Sequence, residues 1–157
     1  VTMIHLKIGI DPGIHLGWCV TITGKYKEIQ MKGQLHEIET TDFWGGIKRL
    51  SELDKYNHHQ DYKATVYIEN PDLIKPTFPR NVSEVVMRKI SQDVGKNKRD
   101  AQLLIEFCKN NNIPVHPVKP SSRTMTKLDA ERFKMITGYS GQTSEHARDA
   151  CMLVWGR

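Results

Sequence analysis

The chain has 157 residues, enough to bury a core in one domain without disulfide or metal staples. Hydrophobic residues make up 38% and charged residues 26%, as in a folded globular protein, and no apolar run approaches the roughly 18 residues that a membrane span needs. The net charge of +5 is concentrated between residues 75 and 134, which hold 13 Lys/Arg against 6 Asp/Glu; such asymmetry fits a polyanionic partner as well as a solvated helix surface.

The first apolar stretch belongs to an alternating pattern rather than to a secretory leader, so an intracellular, cytoplasmic protein without membrane attachment is expected. Cys19, Cys108 and Cys151 are odd in number and widely spaced, with no CxxC pair. They read as buried thiols in a reducing compartment.

Leu6, Ile8 and Ile10 alternate with Lys7, Gly9 and Asp11 and predict a strand, closed by a Pro12-Gly13 turn. Residues 17–22 predict a second strand, Gly24-Lys25 a tight hairpin, and residues 26–31 a third strand. Thr41 or Asp42 can cap a helix to about Tyr56, with Phe43, Ile47, Leu50 and Leu53 on one stripe. Residues 64–68 form a fourth strand ending in Glu69-Asn70-Pro71, and residues 72–81 a mobile basic loop. Helical patterning runs from Val82 to about Asn110 with an expected break at Gly95. Residues 113–118 form a short strand whose two prolines place it at an edge. A helix over about 127–136 ends before Gly138, and Thr143 or Ser144 caps the last helix. The whole, residues 1–157, reads as one α/β domain: a mixed five-stranded sheet, made of an antiparallel three-strand meander plus two further strands, flanked by helices. That is the RNase H-like layout.

Asp11 ends the first strand and Glu69 the fourth. If these strands are parallel neighbours, both carboxylates leave the same end of the sheet, where α/β folds place ligands. Paired carboxylates repel unless a cation separates them, and hard oxygen ligands favour Mg2+ or Mn2+. On the last helix His146 and Asp149 stand three apart and share a face, while Ala147, Ala150, Cys151 and Val154 form the apolar stripe. Glu145 is a competing ligand. Singly, each of these has a plain reading as a turn residue, a strand-end charge or a helix-start acid favoured by the dipole.

Ile8-Gly9-Ile10-Asp11-Pro12-Gly13 followed by Gly17-Trp18 resembles the opening motif of RuvC-type Holliday junction resolvases. Tyr67-Ile68-Glu69 resembles their second acidic motif, and Glu145-His146-Ala147-Arg148-Asp149-Ala150 their closing motif. The likeness spans nearly the whole chain in order and spacing. It implies a structure-selective endodeoxyribonuclease that cuts Holliday junctions and leaves 5′-phosphate ends. It also implies a homodimer, and a catalytic and metal-binding set of Asp11, Glu69, His146 and Asp149. His146 stands where many members carry Asp. Two Mg2+ ions roughly 3.5–4 Å apart would serve an in-line attack, with Asp11 bridging them and Glu69 and Asp149 each binding one. His146 would complete a shell or hold the water. The short, divergent form fits a phage or viral source and, with it, the host cytoplasm.

DNA contacts are expected from Lys75 and Arg80 in the basic loop, from Lys96, Lys98 and Arg99 after Gly95, and from Lys119, Arg123 and Lys127. Phe78 is placed to wedge between bases at the branch point. Val82, Val85, Val86 and Ile90 are the expected dimer face. The alternatives are another RNase H-like nuclease acting on RNA–DNA hybrids or on branched DNA broadly, and a catalytically inactive DNA-binding module. An actin-like ATPase opens similarly but needs two related domains, more than 157 residues supply.

Overall fold

A computed structural model describes residues 3–26, 29–57, 59–75, 79–120 and 127–157. The elements are β1 (Met3–Asp11), β2 (Leu16–Tyr26), β3 (Ile29–Thr41), α1 (Phe43–Asn57), β4 (Tyr62–Glu69), α2 (Glu84–Asn110), β5 (Val115–Val118), α3 (Ala130–Thr137) and α4 (Glu145–Met152), with a 3₁₀ turn at Pro71–Leu73. The five strands form one sheet in the order β3-β2-β1-β4-β5. β1 pairs antiparallel with β2, and β2 with β3; β4 lies parallel to both β1 and β5. This is the mixed, RNase H-like sheet expected from the element order.

Alternation along β1 sets the two layers. Ile4, Leu6, Ile8 and Ile10 are buried on one face with Val66 and Ile68 of β4, beneath Leu50 and Leu53 of α1 and Ala101, Leu104 and Cys108 of α2. On the other face Cys19 packs with Phe133, Ala150, Cys151 and Val154, which brings α3 and α4 onto the sheet. Gly9 and Gly17 govern how close α4 comes. A Cβ on Gly9 would overlap the carbonyl oxygen of Ala150, and one on Gly17 the carbonyl oxygen of His146. The small Ala147 and Ala150 complete this close seating, and both are buried.

Several boundaries differ from the sequence expectation. α2 is one continuous helix of 27 residues without a break at Gly95. A solvent-facing glycine costs a helix only about 1 kcal/mol, which good helix formers on either side outweigh. The helix starts at Glu84 rather than Val82 because Ser83 accepts the Val86 N–H as its N-cap. Gly24-Lys25 is not the hairpin turn. Both residues belong to β2 and pair with β3, and the positive φ of Gly24, 123°, serves a register shift in the ladder. β3 therefore spans Ile29–Thr41 and does not end at Met31. The third helix begins at Ala130, capped by Asp129, instead of near Lys127. β5 is the expected edge strand, and Asp42 rather than Thr41 accepts the helix-start N–H of Gly45.

These observations predict opposite outcomes at three glycines. Gly9→Ala and Gly17→Ala should each lower stability by about 1–3 kcal/mol through overpacking. Gly95→Ala meets nothing within 4 Å and should raise stability by about 0.5–1 kcal/mol. Urea denaturation of the three variants checks the signs. Unaltered stability in Gly9→Ala would show that α4 is not seated against β1 as described.

Candidate active site

The parallel β1–β4 register aligns Ile10 with Ile68, so the next residues, Asp11 and Glu69, stand side by side at one end of the sheet. Asp11 is 8% exposed, the one buried acidic residue among the described residues. α4 descends on the same face, its start fixed by Ser144, whose hydroxyl accepts the Ala147 N–H at 3.0 Å. At the second residue of α4, His146 Nδ1 lies 2.9 Å from Asp11 Oδ2, with the His146 ring partly exposed and tilted toward His15 at 6.3 Å between centroids. Asp149, one turn further along α4, has its Oδ1 buried without a hydrogen-bond partner. The structure thus brings together Asp11, Glu69, His146 and Asp149.

Their electrostatics register crowding. Burial, then the charges of Asp11 and Asp149, push the Glu69 carboxyl up to about 7. Burial, then Asp11 and Glu145, push Asp149 up to about 6. Asp11 is also raised, chiefly by burial, against the lowering effect of its His146 contact. Lys127 opposes the shift in all three. Its Nζ lies 3.9 Å from Glu145 Oε1. Arg148 holds this neighbourhood in place, its Nε donating to Leu128 O at 2.7 Å and its Nη1 to Thr143 O at 2.8 Å. The arginine of the closing motif is therefore a clamp between α4 and the Lys127–Leu128 segment.

Three carboxylates and an imidazole are a donor set for hard divalent ions. Among the described residues no three such side chains converge tightly enough to enclose an ion as they stand. The unpartnered Asp149 oxygen and the mutual raising of proton affinity are what carboxylates show when their counter-charge is missing. The residues fit a divalent-metal site on that observation.

The basic residues are dispersed around this end. Lys75, Arg80, Lys96, Arg99, Lys119 and Lys127 are exposed. Lys98 pairs with Asp72 at 3.1 Å, which ties α2 to the 3₁₀ turn after Glu69. Asn97 approaches Gly13, so α2 passes beside the turn that follows Asp11. Phe78 and Arg123 lie outside the described residues. Sequence reading assigned Lys127 to DNA contact alone and missed its place beside the carboxylates. Its position shortly before the acid-capped α3 was the only available signal. Trp44, whose plain reading is a core or element-end residue, sits at the start of α1 with 73% of its surface exposed and is not in the core.

No family model and no curated protein sequence matches the chain. Among solved structures, Thermus thermophilus RuvC is 18% identical with a TM-score of 0.53, over 95% of this chain and 90% of that one. T. thermophilus RuvC in complex with a Holliday junction substrate is 17% identical with a TM-score of 0.50, over the same shares. The chain has the RuvC fold. Within the RuvC fold, β1, β4 and α4 are the elements that carry the four residues described above.

The carboxylate shifts set a pH dependence. A carboxyl whose value is higher in the folded than in the unfolded state takes up a proton on folding. That favours the folded state at low pH, and the advantage is lost as pH rises from about 4.5 to about 7 for Glu69 and from about 3.8 to about 6 for Asp149. In chelator, the melting temperature should therefore fall between pH 5 and pH 8. Glu69→Gln should flatten that fall, and excess Mg2+ at pH 8 should reverse it in the wild type. Identical pH slopes for wild type and Glu69→Gln would contradict the coupling.

Proposed function

We propose that the chain is a divalent-metal-dependent endodeoxyribonuclease that cuts four-way junctions and related branched DNA. What supports this is the convergence of Asp11, Glu69 and Asp149 at one sheet end, each raised in proton affinity, with His146 bonded to Asp11. The substrate class comes from the likeness to a RuvC held in complex with a Holliday junction substrate. Asp11, Glu69 and Asp149, with His146 beside them, are the residues that would hold the cations. Bound there, Mg2+ or Mn2+ would neutralise the carboxylates and supply Lewis-acid activation for phosphodiester hydrolysis.

The remaining roles belong to the chain. His146 orients the Asp11 carboxylate through its 2.9 Å contact and presents a partly exposed ring to the site. Lys127 stands where it would meet a phosphate drawn to the carboxylates. Arg148 fixes the segment that carries Lys127. Lys75, Arg80, Lys96, Arg99 and Lys119 would hold the duplex arms by phosphate contacts, which need no metal.

A symmetric junction presents two equivalent strands, which a two-fold dimer matches with one site each. Residues 84–97 of α2 carry no buried side chain. At 1.5 Å per residue they extend roughly 20 Å beyond the packed half of the helix. Val85, 77% exposed, and Val86 and Ile90 make an apolar stripe on this arm suited to a second copy. Sedimentation at micromolar concentration should give a dimer mass, and Val85→Glu with Val86→Glu should give monomers. A monomeric wild type would refute the pairing.

The function is tested by single-turnover cleavage of a synthetic four-way junction, with linear duplex and RNA–DNA hybrid as competitors. Asp11→Asn, Glu69→Gln and Asp149→Asn should each reduce junction cleavage by several orders of magnitude, as expected when metal activation is lost, while still shifting the junction in chelator. His146→Asp should retain activity, and Glu145→Gln should change it little. An active Asp11→Asn protein would refute the metal-dependent mechanism; preferred cutting of the hybrid would reassign the substrate.

A further inference from the structure

Next to the carboxylate cluster, the β4–β5 edge carries an open groove of about 420 Å³ lined by Tyr67, His116, Pro117, Val118, Lys119 and Arg157. Tyr67 and His116 are register partners on the two parallel strands, and their rings stack with centroids 5.2 Å apart and planes 27° apart. The Arg157 guanidinium lies over the Tyr67 ring at 5.2 Å. Three bonds hold Arg157 there: its Nε donates to Leu153 O at 2.6 Å, its backbone N–H donates to Val154 O at 3.3 Å, and Lys7 Nζ donates to Arg157 O. Two stacked rings are thus flanked by two cations, Lys119 and Arg157, and no Asp or Glu side chain is among the described residues that line the groove.

The groove lies one strand step back from the candidate active site. Glu69 pairs with Val118, and Tyr67 lies two residues before Glu69 on the same face of β4, about 7 Å back along the strand. Exposed His116 forms the outer edge of the stack. Cations tracking a backbone beside aromatic faces, with no acid between them, are the chemistry of single-stranded nucleic-acid binding. A duplex offers no unpaired base to such a platform, but a branch point with opened pairs does.

We infer that this groove is a nucleotide subsite, in which an unpaired base beside the cut position stacks on the His116–Tyr67 pair while Arg157 and Lys119 hold its phosphates. The inference rests on the nuclease reading for the direction of the strand but not for the binding itself. Loss of one stacked base corresponds to a roughly 5- to 150-fold weaker Kd. His116 rather than Tyr67 is the residue to change, because it is exposed on an edge strand whereas Tyr67 packs against the second core.

The test uses the full chain in chelator with two probes: a short deoxyoligonucleotide and a four-way junction, each carrying one 2-aminopurine, at the branch point in the junction. Wild type should quench the fluorescence of both. His116→Ala should abolish the quench and weaken binding at least fivefold, and His116→Phe should restore both. Arg157→Ala should weaken binding and reduce the salt slope by about one phosphate contact. Lys25→Ala, at the far end of β2, should change neither. If wild type cuts junctions but His116→Ala and Arg157→Ala bind and quench as wild type does, the subsite is overturned and the nuclease reading stands. If wild type shows a His116-dependent quench yet never cuts a junction with Mg2+, the nuclease reading fails and the subsite stands.

Discussion

The seating of α4 against β1 and β2 is the constraint on which the rest of the structure depends. Backbone meets backbone there, since the Gly9 and Gly17 positions face the carbonyls of Ala150 and His146 with no room for a side chain. The helix rides low enough for Asp149 and His146 to reach the level of Asp11 at the strand end. A methyl group at either glycine would lift the helix, and a small lift separates His146 Nδ1 from Asp11 Oδ2, now 2.9 Å apart. The same contact buries Cys19 and Cys151 together, and the hydrogen bond with Cys151, then burial, hold the Cys19 thiol protonated, so these cysteines act as packing. Packing geometry and site geometry are one feature of this chain.

That geometry creates an electrostatic debt, because it gathers carboxylates where burial already disfavours charge. Burial ranks first among the causes for Asp11, Glu69 and Asp149, and their mutual repulsion adds to it for Glu69 and Asp149. Lys127 and His146 relieve only part, as the raised values show. Protons can fill the deficit below neutrality, but near pH 7 they are lost, and a dication is the stronger counter-charge. Cations bound at the cluster would relieve that deficit. The proposed hydrolysis uses that relief, since the ions that would stabilise the cluster are also the ions that would activate water.

The sequence made β1, β4, α4 and the acidic residues on them legible, because each signal was local. Strand alternation over Leu6–Ile10 gave Asp11 its place, and the i, i+3 spacing of His146 and Asp149 fixed a shared face. The parallel pairing that sets Asp11 beside Glu69 was only a condition in the sequence, and the β1–β4 register meets it. What was not legible depended on contacts distant in sequence or on the balance of small terms. Gly24 looked like a hairpin turn, and only its pairing with Met31 shows it to be a bulge within a strand. Gly95 looked like a break, and only the length of ordered helix on both sides overrides its low propensity. Lys127 looked like one cation among many, and only the Arg148 clamp brings its segment to the carboxylates. The Tyr67–His116–Arg157 cluster joins three separate parts of the chain and had no motif to announce it.

The distribution of charge on the folded molecule bears on how a strand would approach. The sequence locates the positive excess between residues 75 and 134, and the fold spreads those residues over two sides of the sheet end. The α2 arm brings Lys96 and Arg99 past the turn after Asp11, whereas Lys119 extends from β5 on the other side of Glu69. The negative cluster therefore sits in a gap between two positive flanks. On the proposed reading, a polyanion held by both flanks would be drawn across the carboxylates although they repel it, and cations bound between them would convert that repulsion into attraction. On the proposed reading this arrangement separates two tasks. Flanking lysines and arginines fix where the backbone lies at a distance set by the fold, and the carboxylates act only on the phosphate placed between them. Selectivity for branched DNA then has a physical origin in shape: a straight duplex can follow one flank, whereas a branch point lets two segments diverge to both.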